Sequence, residues 1–147
     1  MNIYVMHIFL ILWLIAWDAL SKYWASTMLV WAIPLIPNVL SLEYAQNTGI
    51  AFSIPLTWSL LKCITVILIF GIFWYYYREE KKKKSRLLDI SYSFIFAGAI
   101  GNAWERIFIG HVTDMISLEY FAIFNLAASY ISLGAAWIMY YYFRNKS

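Results

Sequence analysis

Four long apolar blocks constrain this chain more than any other feature. They run from about Ile3 to Ala25, Pro55 to Tyr77, Leu87 to Ile109 and Tyr120 to Phe143. Each approaches the roughly 20 residues that a helix needs to cross a hydrocarbon core. Composition points the same way: 63% of the 147 residues are hydrophobic, 13% are charged and the mean hydropathy is +0.67. A soluble domain of this size has too much surface to carry so little charge. The expected class is an all-α integral membrane protein, four transmembrane helices forming a single membrane domain over residues 1–147. The first block has no basic run before it and is long enough to span, so it reads as a retained helix rather than a cleaved leader. Pro55 suits the first position of the second helix.

The placement of charge orients these helices. Six of the eleven basic residues, Arg78, Lys81, Lys82, Lys83, Lys84 and Arg86, fall in the short segment 78–86, and Arg144 and Lys146 close the chain. Segments 26–54 and 110–119 contain no Lys or Arg. Basic residues favour the cytoplasmic side, so 78–86 is expected to be a cytoplasmic loop, both termini cytoplasmic, and the two Lys/Arg-free segments outer loops. A basic patch this short and this close to a helix end speaks against nucleic acid as a partner. The lone cysteine, Cys63, excludes an internal disulfide and a cysteine-based metal cluster. His7 and His111 lack metal-ligand spacing, and no cofactor is expected.

The first outer segment is more than a linker. Leu40, Leu42 and Tyr44 alternate with Ser41 and Glu43, the period of a half-buried strand. Asn47-Thr48-Gly49 then supplies a turn. The expectation is a small β-element on the membrane surface, with its apolar face toward lipid.

Polar residues inside apolar blocks are costly and each needs a reason. Asp18 and Lys22 lie four apart on one face of the first helix, as an intrahelical ion pair or as part of a site. Lys62 is close enough to the start of its helix to reach outward, and Asp89 sits beside the basic segment. The third block ends Ala97-Gly98-Ala99-Ile100-Gly101-Asn102-Ala103-Trp104-Glu105-Arg106. Its small residues let another helix approach closely, but packing does not account for Asn102, Glu105 and Arg106. With Asp114 in the outer segment and Asn125 about a turn into the fourth helix, polar groups from four segments converge at one depth. A small transporter would place such groups near the midplane, often with an internal repeat, and neither is visible.

Five segments resemble the lipoprotein signal peptidase (signal peptidase II) family, in the family's order. Asp18-Ala19-Leu20-Ser21-Lys22 is similar to its helix 1 motif, and Asn47-Thr48-Gly49-Ile50-Ala51-Phe52 to N-x-G-x-A-F. Gly101-Asn102-Ala103-Trp104-Glu105-Arg106 resembles G-N-x-x-D-R, Val112-Thr113-Asp114-Met115-Ile116 resembles V-x-D-F, and Phe124-Asn125-Leu126-Ala127-Ala128 resembles F-N-x-A-D. The resemblance implies a bacterial inner (plasma) membrane protein that cleaves the signal peptide from diacylated prolipoproteins, before the lipid-bearing cysteine. It implies two aspartates sharing a proton, no metal, and a monomer in the bilayer.

By that resemblance Asp114 is one catalytic aspartate and position 128 holds the other, yet residue 128 is alanine. Glu105 stands where the family has Asp, placed to pair with Arg106, while Ala19 replaces a common Gln and Ala97 the first of two glycines. Asn47, Asn102 and Asn125 are expected to hydrogen-bond substrate backbone, and Arg106 to hold backbone or carbonyl groups. Gly49 would permit a turn or close substrate approach, Phe52 and Trp104 would line the lipid-facing rim, and Asp18, Lys22 and Glu105 would support. Two readings of Ala128 stay open. Either it is an engineered change that inactivates the peptidase, or the chain is a natural homologue that has lost catalysis and binds lipoprotein signal peptides without cutting them.

Overall fold

The computed structural model describes residues 3–49 and 58–146. Four helices carry a four-stranded sheet at one end. In chain order they are α1 (Ile3–Met28), β1 (Ile33–Ile36), β2 (Leu40–Asn47), α2 (Trp58–Tyr75), α3 (Arg86–Phe108), β3 (Val112–Leu118), β4 (Ala122–Phe124) and α4 (Leu126–Arg144). The expected opening of α2 at Pro55, and Phe52, lie outside the described residues.

Two spans, Val5–Met28 and Ser59–Lys83, are long and apolar enough to cross a membrane. Large apolar side chains such as Phe9, Trp13, Ile67, Phe70, Met139 and Phe143 face outward along α1, α2 and α4. Only a nonaqueous surrounding makes so much exposed apolar surface tolerable. α3 is the central helix and touches the other three. It buries Leu88, Ile95, Phe96, Ala97, Gly98, Gly101 and Ala103 among others. The small residues do what their spacing predicts. Gly98 on α3 lies against the Ala127 carbonyl and the Ile131 side chain of α4, and Gly134 on α4 lies against the Ser91 carbonyl and Ile95 of α3. Reciprocal glycines at both ends bring the two backbones close over their length.

The sheet is larger than expected. Its order is β1-β2-β3-β4, antiparallel throughout, so both supposed outer loops contribute strands. Segment 110–119, expected as a loop, is mostly β3, and the fourth helix begins at Leu126, not Tyr120. Two local features explain the shift. Tyr120 has φ 64 in the β3–β4 turn, a left-handed conformation that no helix accommodates. Asn125 then caps the helix, its side chain accepting from the Ala128 N–H at 2.8 Å. The expected lipid-facing strand surface is corrected as well. Leu42 and Tyr44, with Ile116, pack on Ala25 and Leu29 at the end of α1 and on Met115 of β3. That helix end was the nearer apolar surface to cover.

α3 ends where Gly110 takes φ 106 and its N–H, like that of Ile109, returns to the Glu105 carbonyl, a glycine-terminated helix end. At the opposite, basic end, residues 78–86 are not a simple loop. α2 runs on through a wide turn over Tyr76–Glu80 and a tight one over Lys81–Lys83. Glu80 is buried there, accepting from Tyr142 at 2.6 Å and Lys83 at 3.0 Å. Asp89 accepts from Tyr76 at 2.8 Å and faces His7 rather than the basic run. Lys62 donates to the Ile107 carbonyl at 2.8 Å, so the last turn of α3 takes the ammonium that was expected to reach outward.

Candidate active site

Where the sheet meets the helices, the polar residues singled out by sequence come together, drawn from α1, β2, α3, β3 and the start of α4. Asp18, Lys22, Asn102, Glu105, Asp114 and Asn125 are all more than nine-tenths buried, so each must find its partners within the protein.

They form two linked sets. In the first, the Lys22 ammonium donates to Asp18 Oδ2 at 2.8 Å, Glu105 Oε2 at 3.0 Å and Asn102 Oδ1 at 2.9 Å. An ammonium has three N–H donors, and all three are used. Asp18 Oδ1 accepts the Ala127 N–H at 2.9 Å, and Glu105 Oε2 accepts the Thr113 N–H at 3.0 Å. Asp18 and Lys22 are therefore the expected intrahelical pair, and they also contact α3 and the start of α4. The expected Glu105–Arg106 pair is not formed. Neighbours on a helix point about 100° apart, and Glu105 turns toward Lys22.

The second set surrounds Asp114. Asn47 Nδ2 donates to Asp114 Oδ2 at 3.0 Å and Asn125 Nδ2 donates to Oδ1 at 2.6 Å. Each asparagine is itself fixed: Asn47 Oδ1 accepts from Gly49 N–H at 3.0 Å, making the expected turn, and Asn125 Nδ2 also reaches the Thr113 carbonyl at 3.1 Å. Burial pushes the Asp114 carboxyl above the ordinary value of 3.8, while the two amide donors and the Lys22 charge pull against it. The strand pairing aims this carboxyl. Between Leu42↔Ile116 and Ala45↔Asp114, β2 carries one residue more than β3, a bulge of the kind that re-aims a side chain beside a site.

A cavity of about 690 Å³ opens on this second set, lined by Asn47, Asn102, Arg106, Asp114, Asn125 and Ala128 together with apolar groups including Leu118, Phe124, Ile131 and Leu133. Arg106 Nε is buried there and has no hydrogen-bond partner among the described residues. Ala128 therefore shares a cavity with Asp114. It is not deep in the helix, however. Asn125 is the N-cap, not a residue one turn in, and Ala128 belongs to the first turn of α4. Trp104 lies elsewhere, on a smaller cavity of about 290 Å³ on the Asp18–Lys22–Glu105 side. Sequence reasoning missed the backbone N–H groups of Thr113 and Ala127, since any residue carries that donor. The N-cap was detectable, because Asn before an apolar run is a helix-start signal.

Chemically, the cleft offers one carboxyl held by two amides, a guanidinium and the methyl group of Ala128.

The sequence profile of the signal peptidase (SPase) II family matches residues 10–144. The chain is 38% identical over 130 residues to the lipoprotein signal peptidase of Streptococcus thermophilus strain CNRZ 1066, covering 84% of this chain and 83% of that one. Against that of Streptococcus agalactiae serotype V it is 36% identical over 138 residues, covering 91% and 89%. The fold matches a solved bacterial membrane enzyme with a TM-score of 0.85 at 24% identity, over 97% of this chain and 90% of that one. A profile match over nearly the whole chain, and relatives this similar over most of both lengths, place the chain in the signal peptidase II family.

Proposed function

We propose that this scaffold is a membrane aspartic endopeptidase for diacylated prolipoproteins, cutting before the lipid-modified cysteine, and that Ala128 leaves this chain with little of that activity. The observation that carries the reading is the shared cavity of Asp114 and Ala128, walled by Asn47, Asn102, Arg106 and Asn125. In the complete pair, the ionised carboxyl takes a proton from water as the water oxygen attacks the scissile carbonyl carbon. The protonated carboxyl hydrogen-bonds the carbonyl oxygen and stabilises the charge that develops there. Collapse of the tetrahedral intermediate breaks the C–N bond and delivers a proton to the leaving amine. No step calls on a metal or cofactor. The asparagine amides and Arg106 hold the substrate backbone, and the apolar wall of Leu118, Phe124, Ile131 and Leu133 receives lipid or signal-peptide side chains.

All four helices cross the bacterial inner membrane in this reading, with the basic end cytoplasmic and the sheet end outside. α3 and α4, at 23 and 19 residues, are long enough to span. The protein acts as a monomer, with no nucleic-acid partner.

The experiment is Ala128→Asp, scored by gel-shift cleavage of a diacylated prolipoprotein in detergent. Loss of one essential group from a catalytic unit costs about 10⁴–10⁶ in rate, so the variant should gain by that order and Asp114→Asn should abolish the gain. A folded, substrate-binding Ala128→Asp protein that cuts no faster than its parent overturns the two-aspartate assignment. A second reading, a non-cutting binder of lipoprotein signal peptides, is favoured by the intact Asn47, Asn125 and Arg106 lining. It requires the parent to pull down a diacylated signal segment better than a control with a disrupted lipid-attachment sequence.

A further inference from the structure

The family motifs treat Asp18, Lys22 and Glu105 as separate positions on two helices, but their contacts make one continuous link. Starting at β3, the Thr113 N–H donates to Glu105 Oε2 at 3.0 Å. The same oxygen accepts from Lys22 Nζ at 3.0 Å. Lys22 Nζ then donates to Asp18 Oδ2 at 2.8 Å, and Asp18 Oδ1 accepts the Ala127 N–H at 2.9 Å. Thr113 directly precedes Asp114, and Ala127 directly precedes residue 128. A carboxylate thus grips the backbone immediately before each proposed catalytic position, and one ammonium grips both carboxylates.

We propose that Lys22 is a positioning residue that sets the separation between Asp114 and residue 128, through Glu105 on one side and Asp18 on the other. This rests on the two-position reading above.

An ordinary intrahelical pair would need only Asp18 and Lys22. It would not need Lys22 to spend its other two donors on α3, on Glu105 and on Asn102 Oδ1 at 2.9 Å. Nor would it need glycine at 101, where a Cβ would lie 2.6 Å from Asp18 Oδ2. Gly101 leaves room for the carboxylate to pass α3 and reach the start of α4. The contact to Asn102 has its own consequence. With its oxygen on Lys22, its Nδ2 donors are left for the cavity that Asn102 also lines. All three charged groups are almost fully buried, so salt screens the link little.

The test has one arm that does not require cleavage. In a Cys63→Ala background, spin labels at Glu119→Cys in the β3–β4 turn and Ala136→Cys on α4 report the distance between the two elements by pulsed electron spin resonance. Lys22→Met should broaden that distance distribution. Glu105→Leu, which leaves Asp18 and Lys22 as a balanced pair and so should fold, should broaden it too, because it removes the one oxygen that accepts from both Thr113 N–H and Lys22. In the second arm the same substitutions are added to Ala128→Asp. Misplacing reacting groups by about 1 Å costs on the order of 100-fold, so kcat should fall by about that factor with KM unchanged. An unchanged distance distribution in folded Glu105→Leu overturns the proposal whatever kcat does. So does a loss carried by KM alone. Broadening with an Ala128→Asp parent that does not cut keeps the link and removes the two-aspartate reading instead.

Discussion

Adding one methyl group at each of three glycines should separate close helix packing from mere helical tolerance. At Gly71 on α2 an added Cβ meets nothing within 4 Å, so Gly71→Ala should stabilise by about 0.5–1 kcal/mol through helix propensity alone. At Gly98 the Cβ would press into the Ala127 carbonyl oxygen and approach Ile131 Cγ1 at 2.8 Å. The first neighbour is backbone and cannot rotate away, so α3 and α4 must separate. Overpacking of this kind costs about 1–3 kcal/mol, from which the same propensity gain is subtracted. At Gly101 the Cβ would lie 2.6 Å from Asp18 Oδ2. That carboxylate is held by Lys22 and the Ala127 N–H, so it yields only by breaking a buried bond. Thermal unfolding in detergent, followed by circular dichroism, should rank Gly71→Ala at or above the parent and the other two below it. The propensity gain cancels between Gly71→Ala and Gly98→Ala, so a spread of about 1–3 kcal/mol is expected. If Gly98→Ala melts with Gly71→Ala, the close α3–α4 approach is wrong, and with it the placement of residue 128.

Asn125→Ala removes the α4 cap and a donor to Asp114 together, so it should cost about 1–2 kcal/mol, and Asn125→Asp should recover the cap while adding repulsion against Asp114. The Asp114 carboxyl is raised by burial, so the folded state holds its proton more tightly than the unfolded one. Its contribution to stability is full below about 3.8 and lost as pH rises through the higher folded value. The melting temperature of the parent relative to Asp114→Asn should therefore fall as pH rises from that point, and a relative rise would contradict the burial argument. Cysteines at Glu43 or Glu119 should react with a membrane-impermeant thiol reagent from outside intact cells and one at Lys83 should not, and labelling at Lys83 alone would reverse the orientation.

Much of this was legible in the chain itself. Segregated apolar blocks force a membrane-embedded helical protein, because a run of apolar residues has the same low solubility in water in any arrangement. The small-residue run from Ala97 to Gly101 announced a close helix contact, since only side-chain size decides how near two backbones come. The residues of the cleft were also visible, because buried amides and charges in an apolar setting are costly enough to need a purpose. Tertiary structure decided how they are joined. Segment 110–124 reads as loop and helix until β2 pairs with it, because strand pairing is a contact between distant segments. Glu105 and Arg106 look like a pair in sequence, yet helical geometry sends Glu105 to Lys22, 83 positions earlier in the chain. The link from Thr113 to Ala127 runs through backbone N–H groups, which every residue but proline carries. No residue letter marks them, so only the folded chain shows which two are held.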